Sequence, residues 1–139
     1  MANTNAIDYF TITSIGNATD FGNMTQQSRY PSCTDNGTNE RGISFGGADA
    51  HSDVIEYITI NSAGNATDFG DLTTSRRGVT GVSNSIRGVF WNGYTAPGKV
   101  NVIDYITIGS TGNATDFGDM HVARDNANSA ADNHGGLQT

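Results

Sequence analysis

The chain has 139 residues, 15% of them charged, and a formal net charge of −7, which fits one domain spanning residues 1–139. An acidic protein repels phosphate backbones, so nucleic acid is not expected as a partner. No apolar run approaches about 18 residues, and the first residues lack the basic start of a signal peptide, so we expect a soluble protein without membrane insertion. The single cysteine, Cys33, excludes an intrachain disulfide and is interpreted as a small buried or idle side chain.

The residue types predict an all-β fold. Leu occurs twice and Lys once, whereas the β-branched residues Ile, Val and Thr are abundant. The 18 glycines supply the turns that many short strands need. Large apolar residues are few for a chain of this length, so we also expect burial against a partner to contribute to stability.

Internal repetition is the strongest signal in the sequence. Three nearly identical segments recur at a spacing of 48 residues, and all contain Gly-Asn-Ala-Thr-Asp-Phe-Gly: residues 7–24, 55–72 and 103–120. A weaker second half follows each copy, with residues 41–47 corresponding to residues 87–93 and residues 135–139 to the start of the same motif. This regularity predicts stacked repeat units that begin near residues 7, 55 and 103.

Each unit is predicted to contain four short strands, which in the central copy are residues 55–60, 66–72, 78–83 and 87–91. In the first of these strands, Ile55 and Tyr57 point to one face, and Ile58 and Ile60 point to the other. A strand that is apolar on both faces needs a sheet packed on each side. The pattern therefore favours a propeller blade over one wall of a solvent-facing sandwich.

The repeat resembles two known kinds of sequence. An apolar strand ending in Gly46-Gly47, a strand of the Ile-Glu-Tyr type and then an aromatic residue in the next strand (Phe21, Phe69 or Phe117) resemble the kelch repeat, one four-stranded blade of a β-propeller. Kelch repeats usually carry Trp where these Phe residues stand. The motif Gly-Asn-Ala-Thr-Asp-Phe-Gly-Asp, with an Arg further on, resembles repeats in structural and tail proteins of bacteriophages and prophages, especially of marine cyanobacterial hosts.

Three four-stranded blades are too few to close a propeller, which needs about 4 to 8. We expect residues 7–24 to be the last two strands of a blade and residues 126–139 to be the first two. Two chains would then complete each other's blades by strand pairing at their termini, as a homodimer that forms a six-bladed ring. A β-trefoil, which closes three four-stranded repeats within one chain, is the alternative fold.

The repeated Asp-Phe-Gly triplet occurs in protein kinases, but the glycine-rich loop, strand Lys and His-Arg-Asp loop of those enzymes are missing here. We instead expect Phe69 and its equivalents to pack between blades, and Asp68 and Asn65 to satisfy backbone groups in turns. The carboxylates at Asp68 and Asp71 leave calcium open as a less favoured interpretation. No metal and no cofactor are predicted.

No catalytic residues are predicted either. His51, His121 and His134 are far apart in sequence, and none adjoins a nucleophile motif, so we do not expect an enzyme. The candidate ligand-binding residues are Trp91, Asn92 and Tyr94, in an irregular stretch of residues 90–99. Aromatic rings beside polar groups suit stacking on sugar rings, although packing of Trp91 between blades is the favoured interpretation.

Three functional hypotheses follow. The phage resemblance implies a non-enzymatic virion protein of the tail, a fibre or the capsid decoration, which acts as a scaffold or host-contact module. Its partners would be itself, other virion proteins and glycans of the host surface. The alternatives are a carbohydrate-binding lectin and a cellular interaction module of the kelch type.

Overall fold

The computed structural model describes residues 4–29, 31–37, 40–47 and 51–131, and all regular secondary structure in these residues is β-strand, which confirms the all-β class. Within this part of the chain, no helix could span a membrane. The strands are β1 (Thr4–Tyr9), β2 (Thr19–Ser28), β3 (Ser32–Asp35), β4 (Arg41–Phe45), β5 (Ser52–Thr59), β6 (Thr67–Arg76), β7 (Thr80–Ser83), β8 (Arg87–Trp91), β9 (Tyr94–Thr95), β10 (Gly98–Thr107) and β11 (Thr115–Arg124).

The strands form three antiparallel sheets. The first sheet is the hairpin β1-β2, the second has the order β3-β4-β5-β6, and the third has the order β7-β8-β10-β11 with β9 paired to β10. Each four-stranded sheet combines the last two strands of one repeat unit with the first two strands of the next unit. The long hairpins β1-β2, β5-β6 and β10-β11 carry the repeated sequence.

The central predicted strands correspond to β5, β6, β7 and β8, but their ends differ. A register shift between Ser52 and Val54 lets pairing continue until Ser52 lies opposite Arg76, so β6 ends four residues later than predicted. The irregular stretch around residues 90–99 also contains regular pairing. Tyr94 lies opposite Lys99 in a short hairpin of β9 and β10, which the composition of the loop did not indicate.

The main core lies between the second and third sheets. Because side chains alternate along a strand, β4 places Ile43 and Phe45 on the same face, where both are buried. Phe45 meets Phe90 from β8 with ring centroids 4.1 Å apart. Together these rings remove a large apolar area from water. The other members of the core cluster are Ile55, Phe69, Leu72, Val79, Ile106 and Ile108.

The contact between the first and second sheets is less well filled. Ser44 is the equivalent of Phe90 in the next repeat. Ser44 stands two residues before Gly46-Gly47, and Phe90 stands two residues before Asn92-Gly93. A cavity of about 460 Å³ lies at this contact, with Ala6, Ile7 and Ile58 among its lining residues. A small side chain at Ser44 therefore leaves space that an aromatic ring fills at the corresponding place in the other interface.

Residues 126–131 form no strand, in contrast to the expectation of a further half blade from residue 126. They run along β7 instead, where Thr80 Oγ1 donates to the Ala127 carbonyl at 2.6 Å and Ser129 Oγ donates to the Gly81 carbonyl at 2.8 Å. The remainder of that predicted half blade, including residues 135–139, lies outside the described residues.

Candidate functional site: the interface between repeats

The Gly-Asn-Ala loop of the second hairpin docks on β2 of the first hairpin. The N–H of Gly64 donates to the carbonyl of Phe21 at 2.7 Å, and the N–H of Ala66 donates to the carbonyl of Asn23 at 2.8 Å. In return, the Asn65 side-chain oxygen accepts the N–H of Asn23 at 3.0 Å. Three hydrogen bonds thus join a loop of one repeat to a strand of the preceding repeat, and backbone groups contribute to all of them.

The third hairpin docks on β6 in the same way. Gly112 N–H donates to the Phe69 carbonyl at 2.8 Å, and Ala114 N–H donates to the Asp71 carbonyl at 2.7 Å. The Asn113 side-chain oxygen accepts the Asp71 N–H at 3.1 Å. The Asn of the repeat was expected to satisfy its own turn, but in both copies it binds the neighbouring repeat.

A glycine makes this close approach possible. Gly70 has φ of +147°, a conformation that favours glycine. A Cβ atom placed on it would lie 2.5 Å from both the carbonyl carbon and the oxygen of Gly112. Gly22 stands in the same relation to Gly64 in the first interface, with φ of +151°. The glycine of Asp-Phe-Gly therefore leaves room for the loop of the next repeat.

A buried carboxylate on the first strand of a hairpin also binds the preceding repeat. Asp104 of β10 accepts hydrogen bonds from the Thr73 hydroxyl at 2.6 Å and from the Thr73 N–H at 3.3 Å. Its other partner is Arg76, whose Nη2 lies 2.9 Å from Asp104 Oδ2, with both side chains fully buried. Burial lowers the pKa of the Arg76 guanidinium, and the charge of Asp104 opposes that effect only in part.

The first interface has a simpler version of this contact. Glu56 is the equivalent of Asp104, and its Oε2 accepts the Thr25 N–H at 2.6 Å. Ser28 stands in the place of Arg76, so no arginine stands at the matching position beside Glu56. The role of these acidic residues was not predicted from the sequence. Their signal was the acidic residue that recurs beside Ile in an otherwise apolar strand, at Asp8, Glu56 and Asp104.

The aromatic residue of Asp-Phe-Gly has three different exposures. Phe69 is 2% exposed and Phe21 is 9% exposed, because the next repeat covers both. Phe117 is 55% exposed. Packing between successive sheets is thus confirmed for the first two copies. For Phe117 it stays a prediction, because no described residue of this chain covers that ring in the same way.

The candidate ligand-binding residues are close in sequence but do not share one surface. Asn92 is fully buried with φ of +55°, and its amide donates to Thr80 Oγ1 at 3.1 Å. Trp91 is half-buried in β8, opposite Ile103. The ring of Tyr94 stacks on His51 with centroids 5.8 Å apart. Tyr94 also lines a small cleft of about 260 Å³ with Arg77, Gly78, Asp125 and Asn126.

The remaining chemically active residues are dispersed. Cys33 is exposed on β3, so it is not a buried side chain, and His121 is exposed on β11. His134 lies outside the described residues. Asp68 and Asp71 are both exposed, and within the described ranges no three His, Cys, Asp or Glu residues are grouped as metal ligands.

The sequence matches no protein-family model, and it has no significant match among the curated proteins.

Substituting Gly70 tests the close approach. Gly70→Ala should lower the free energy of unfolding by about 2 kcal/mol more than Gly118→Ala, since only the first introduces a clash with a neighbouring backbone. Gly118 is a matched control because its φ of +138° imposes similar strain, while no described atom lies within 4 Å of an added Cβ. Urea denaturation of dilute protein measures both values. Equal losses would contradict the backbone contact.

Substituting Asp104 tests the buried ion pair. Asp104→Asn should lower the free energy of unfolding by about 3 kcal/mol, because it leaves the Arg76 cation buried without its counter-charge. Glu56→Gln, the matched variant in the first interface, should cost only about 1 kcal/mol because a neutral acceptor remains for Thr25. Thermal and urea unfolding provide the measurements. A larger loss for Glu56→Gln would refute the ranking of the two interfaces.

Proposed function

We propose that this chain is a non-enzymatic structural protein of a bacteriophage virion, in which stacked β-repeats act as a scaffold or host-contact module. The observation that carries the structural role is the use of the repeated polar side chains. Asn65, Asn113, Glu56 and Asp104 all bind the preceding repeat rather than converge on a cleft. These side chains join successive repeats to one another, which is a structural role.

The assignment to a virion is supported by the sequence of the repeat, which resembles repeats in phage structural and tail proteins. The composition agrees with an extracellular particle, because Thr, Ser, Asn and Gly dominate the loops and Lys occurs once. The proposed assembly is a six-bladed, kelch-like propeller made by two chains. It draws support from two four-stranded meanders and one two-stranded sheet in a single chain.

Contact with a host surface is the second part of the proposal. The cleft beside Tyr94 supports it, because Arg77, Asp125 and Asn126 line it together with Tyr94 and carry groups that hydrogen-bond to hydroxyls. Tyr94 is the member of the predicted ligand-binding set that the cleft includes. A shallow polar cleft of this kind fits a sugar ring rather than an apolar ligand.

The test of the proposed function is the location of the chain in purified particles. Particles banded on a density gradient should contain the chain at a fixed ratio to the capsid and tail proteins when analysed by quantitative mass spectrometry. A phage-encoded replication enzyme serves as the control and should be depleted from the same band. Recovery of the chain only in the unassembled fraction would contradict a virion role.

A further inference from the structure

The two ends of the stack display the two halves of the contact between repeats. At one end, the first hairpin carries the loop of residues 16–18, which is exposed and is the equivalent of the docked loops around Asn65 and Asn113. At the other end, β11 carries Phe117, Gly118 and Asp119, the equivalents of the residues that receive a docked loop. We call these surfaces the loop face and the strand face.

Exposed apolar residues mark the loop face. Phe10 and Ile12 are 70% and 91% exposed. Their equivalents in the third hairpin, Ile106 and Ile108, are buried against the second sheet. On the strand face, Phe117 is the exposed equivalent of buried Phe69. Apolar positions that are buried in the internal interface are therefore exposed at each end of the stack. Contact between a loop face and a strand face would bury Phe10, Ile12 and Phe117.

The charges of the two faces are complementary. Asp8 on the loop face is the equivalent of Asp104, and Arg124 on the strand face is the equivalent of Arg76, each displaced by 48 or 96 residues. Both Asp8 and Arg124 are exposed in the single chain. In the first internal interface, the equivalents of Asp104 and Arg76 are Glu56 and Ser28. The two end faces thus reproduce the buried ion pair of the second interface, with one charge on each.

The chain that follows β11 lies where the first strand of a further sheet would be expected. Residues 126–129 lie along β7, bonded to Thr80 and Gly81. β7 has the same relation to β3 of the preceding unit, where Thr34 Oγ1 donates to Ser83 Oγ at 2.6 Å. In the second sheet, β3 is followed by β4 and then by the long hairpin β5-β6. The equivalent hairpin beyond the third sheet is not supplied by the described residues.

We propose that a second copy of this chain places its loop face on this strand face, so that Asp8 of one copy pairs with Arg124 of the other. This inference rests on the proposed structural role and names the residues of the assembly contact. Gly16 and Ala18 donate their N–H groups to the carbonyls of Phe117 and Asp119, and Asn17 accepts the N–H of Asp119. Asp8 also accepts the N–H of His121, which stands in the place of Thr73.

The contact is head-to-tail, because each copy contributes a different face to it. In a ring of two copies, the loop face and the strand face of each chain are both covered. Such a closed ring is expected for a six-bladed propeller.

The first measurement is the mass of the 139-residue chain in solution by light scattering and sedimentation velocity. We expect a mass of twice the 14.6 kDa of one chain. A monomer at every concentration up to about 1 mM would overturn the proposal, because the contact would then be weaker than about 4 kcal/mol. So would a monomer that binds another virion protein through these faces.

The second measurement uses single substitutions at exposed positions. Asn17→Ala should weaken association about tenfold, and Asp8→Arg by more, because the second places two cations together. Asn61→Ala and Asp53→Arg make the same chemical changes at exposed positions of the middle hairpin and should leave association unchanged. Circular dichroism confirms that every variant is folded. Association that neither Asn17→Ala nor Asp8→Arg weakens would overturn the proposal.

The third measurement is a mixing experiment that assigns the charges. Asp8→Arg alone gives two cationic faces, and Arg124→Asp alone gives two anionic faces, so each variant should stay monomeric. An equimolar mixture should form a dimer of one chain of each kind, because each cationic face then meets an anionic face. A mixture that associates no better than the separate variants would contradict the pairing of Asp8 with Arg124. Since these measurements need only the purified chain, they can succeed or fail independently of the location in a virion.

Discussion

The backbone contact at the glycine of Asp-Phe-Gly is the constraint on which the rest of the structure depends. Without a Cβ at Gly22 or Gly70, the loop of the next repeat comes close enough for its N–H groups to reach the strand's carbonyls. This approach fixes the relative position of successive hairpins. It brings the carboxylates of Glu56 and Asp104 within reach of the preceding strand and sets the sheets at a distance where Phe45 meets Phe90. Hydrogen bonds define the register, while buried apolar area supplies most of the stability.

A fold built by such contacts is open at both ends unless something covers them. In repeat proteins the stability of each unit depends on its nearest neighbours, so an end unit lacks about half of its interface energy. The chain has few large apolar residues, and several of them, including Phe10, Ile12 and Phe117, lie uncovered at the ends. In the assembly that we propose, the complementary end faces of two copies cover each other. That property is consistent with the structural role proposed above.

The sequence predicted the parts of the fold that depend on local pattern. The 48-residue spacing gave the repeat units, and β-branched residues with glycines gave the all-β class and the approximate positions of β5 to β8. It did not predict that Asn65 and Asn113 bind the preceding repeat, because an Asn before a strand equally fits a cap for its own turn. The role of Asp104 was also missed, since burial of a carboxylate depends on Arg76, 28 residues earlier in the chain. The hairpin of β9 and β10 was not predicted, because the composition of residues 90–99 resembled that of a ligand-binding loop.

The most direct test of the account compares the amide hydrogen exchange of Ala18, Ala66 and Ala114 in dilute, monomeric protein. These alanines have the same neighbours, Asn before and Thr after, so their unprotected exchange rates are the same. Only the latter two donate to a preceding repeat, at 2.8 and 2.7 Å. The account predicts that Ala66 and Ala114 exchange about 100-fold or more slowly than Ala18. Equal exchange rates at the three alanines would contradict docking of the loops as the interaction that orders the stack.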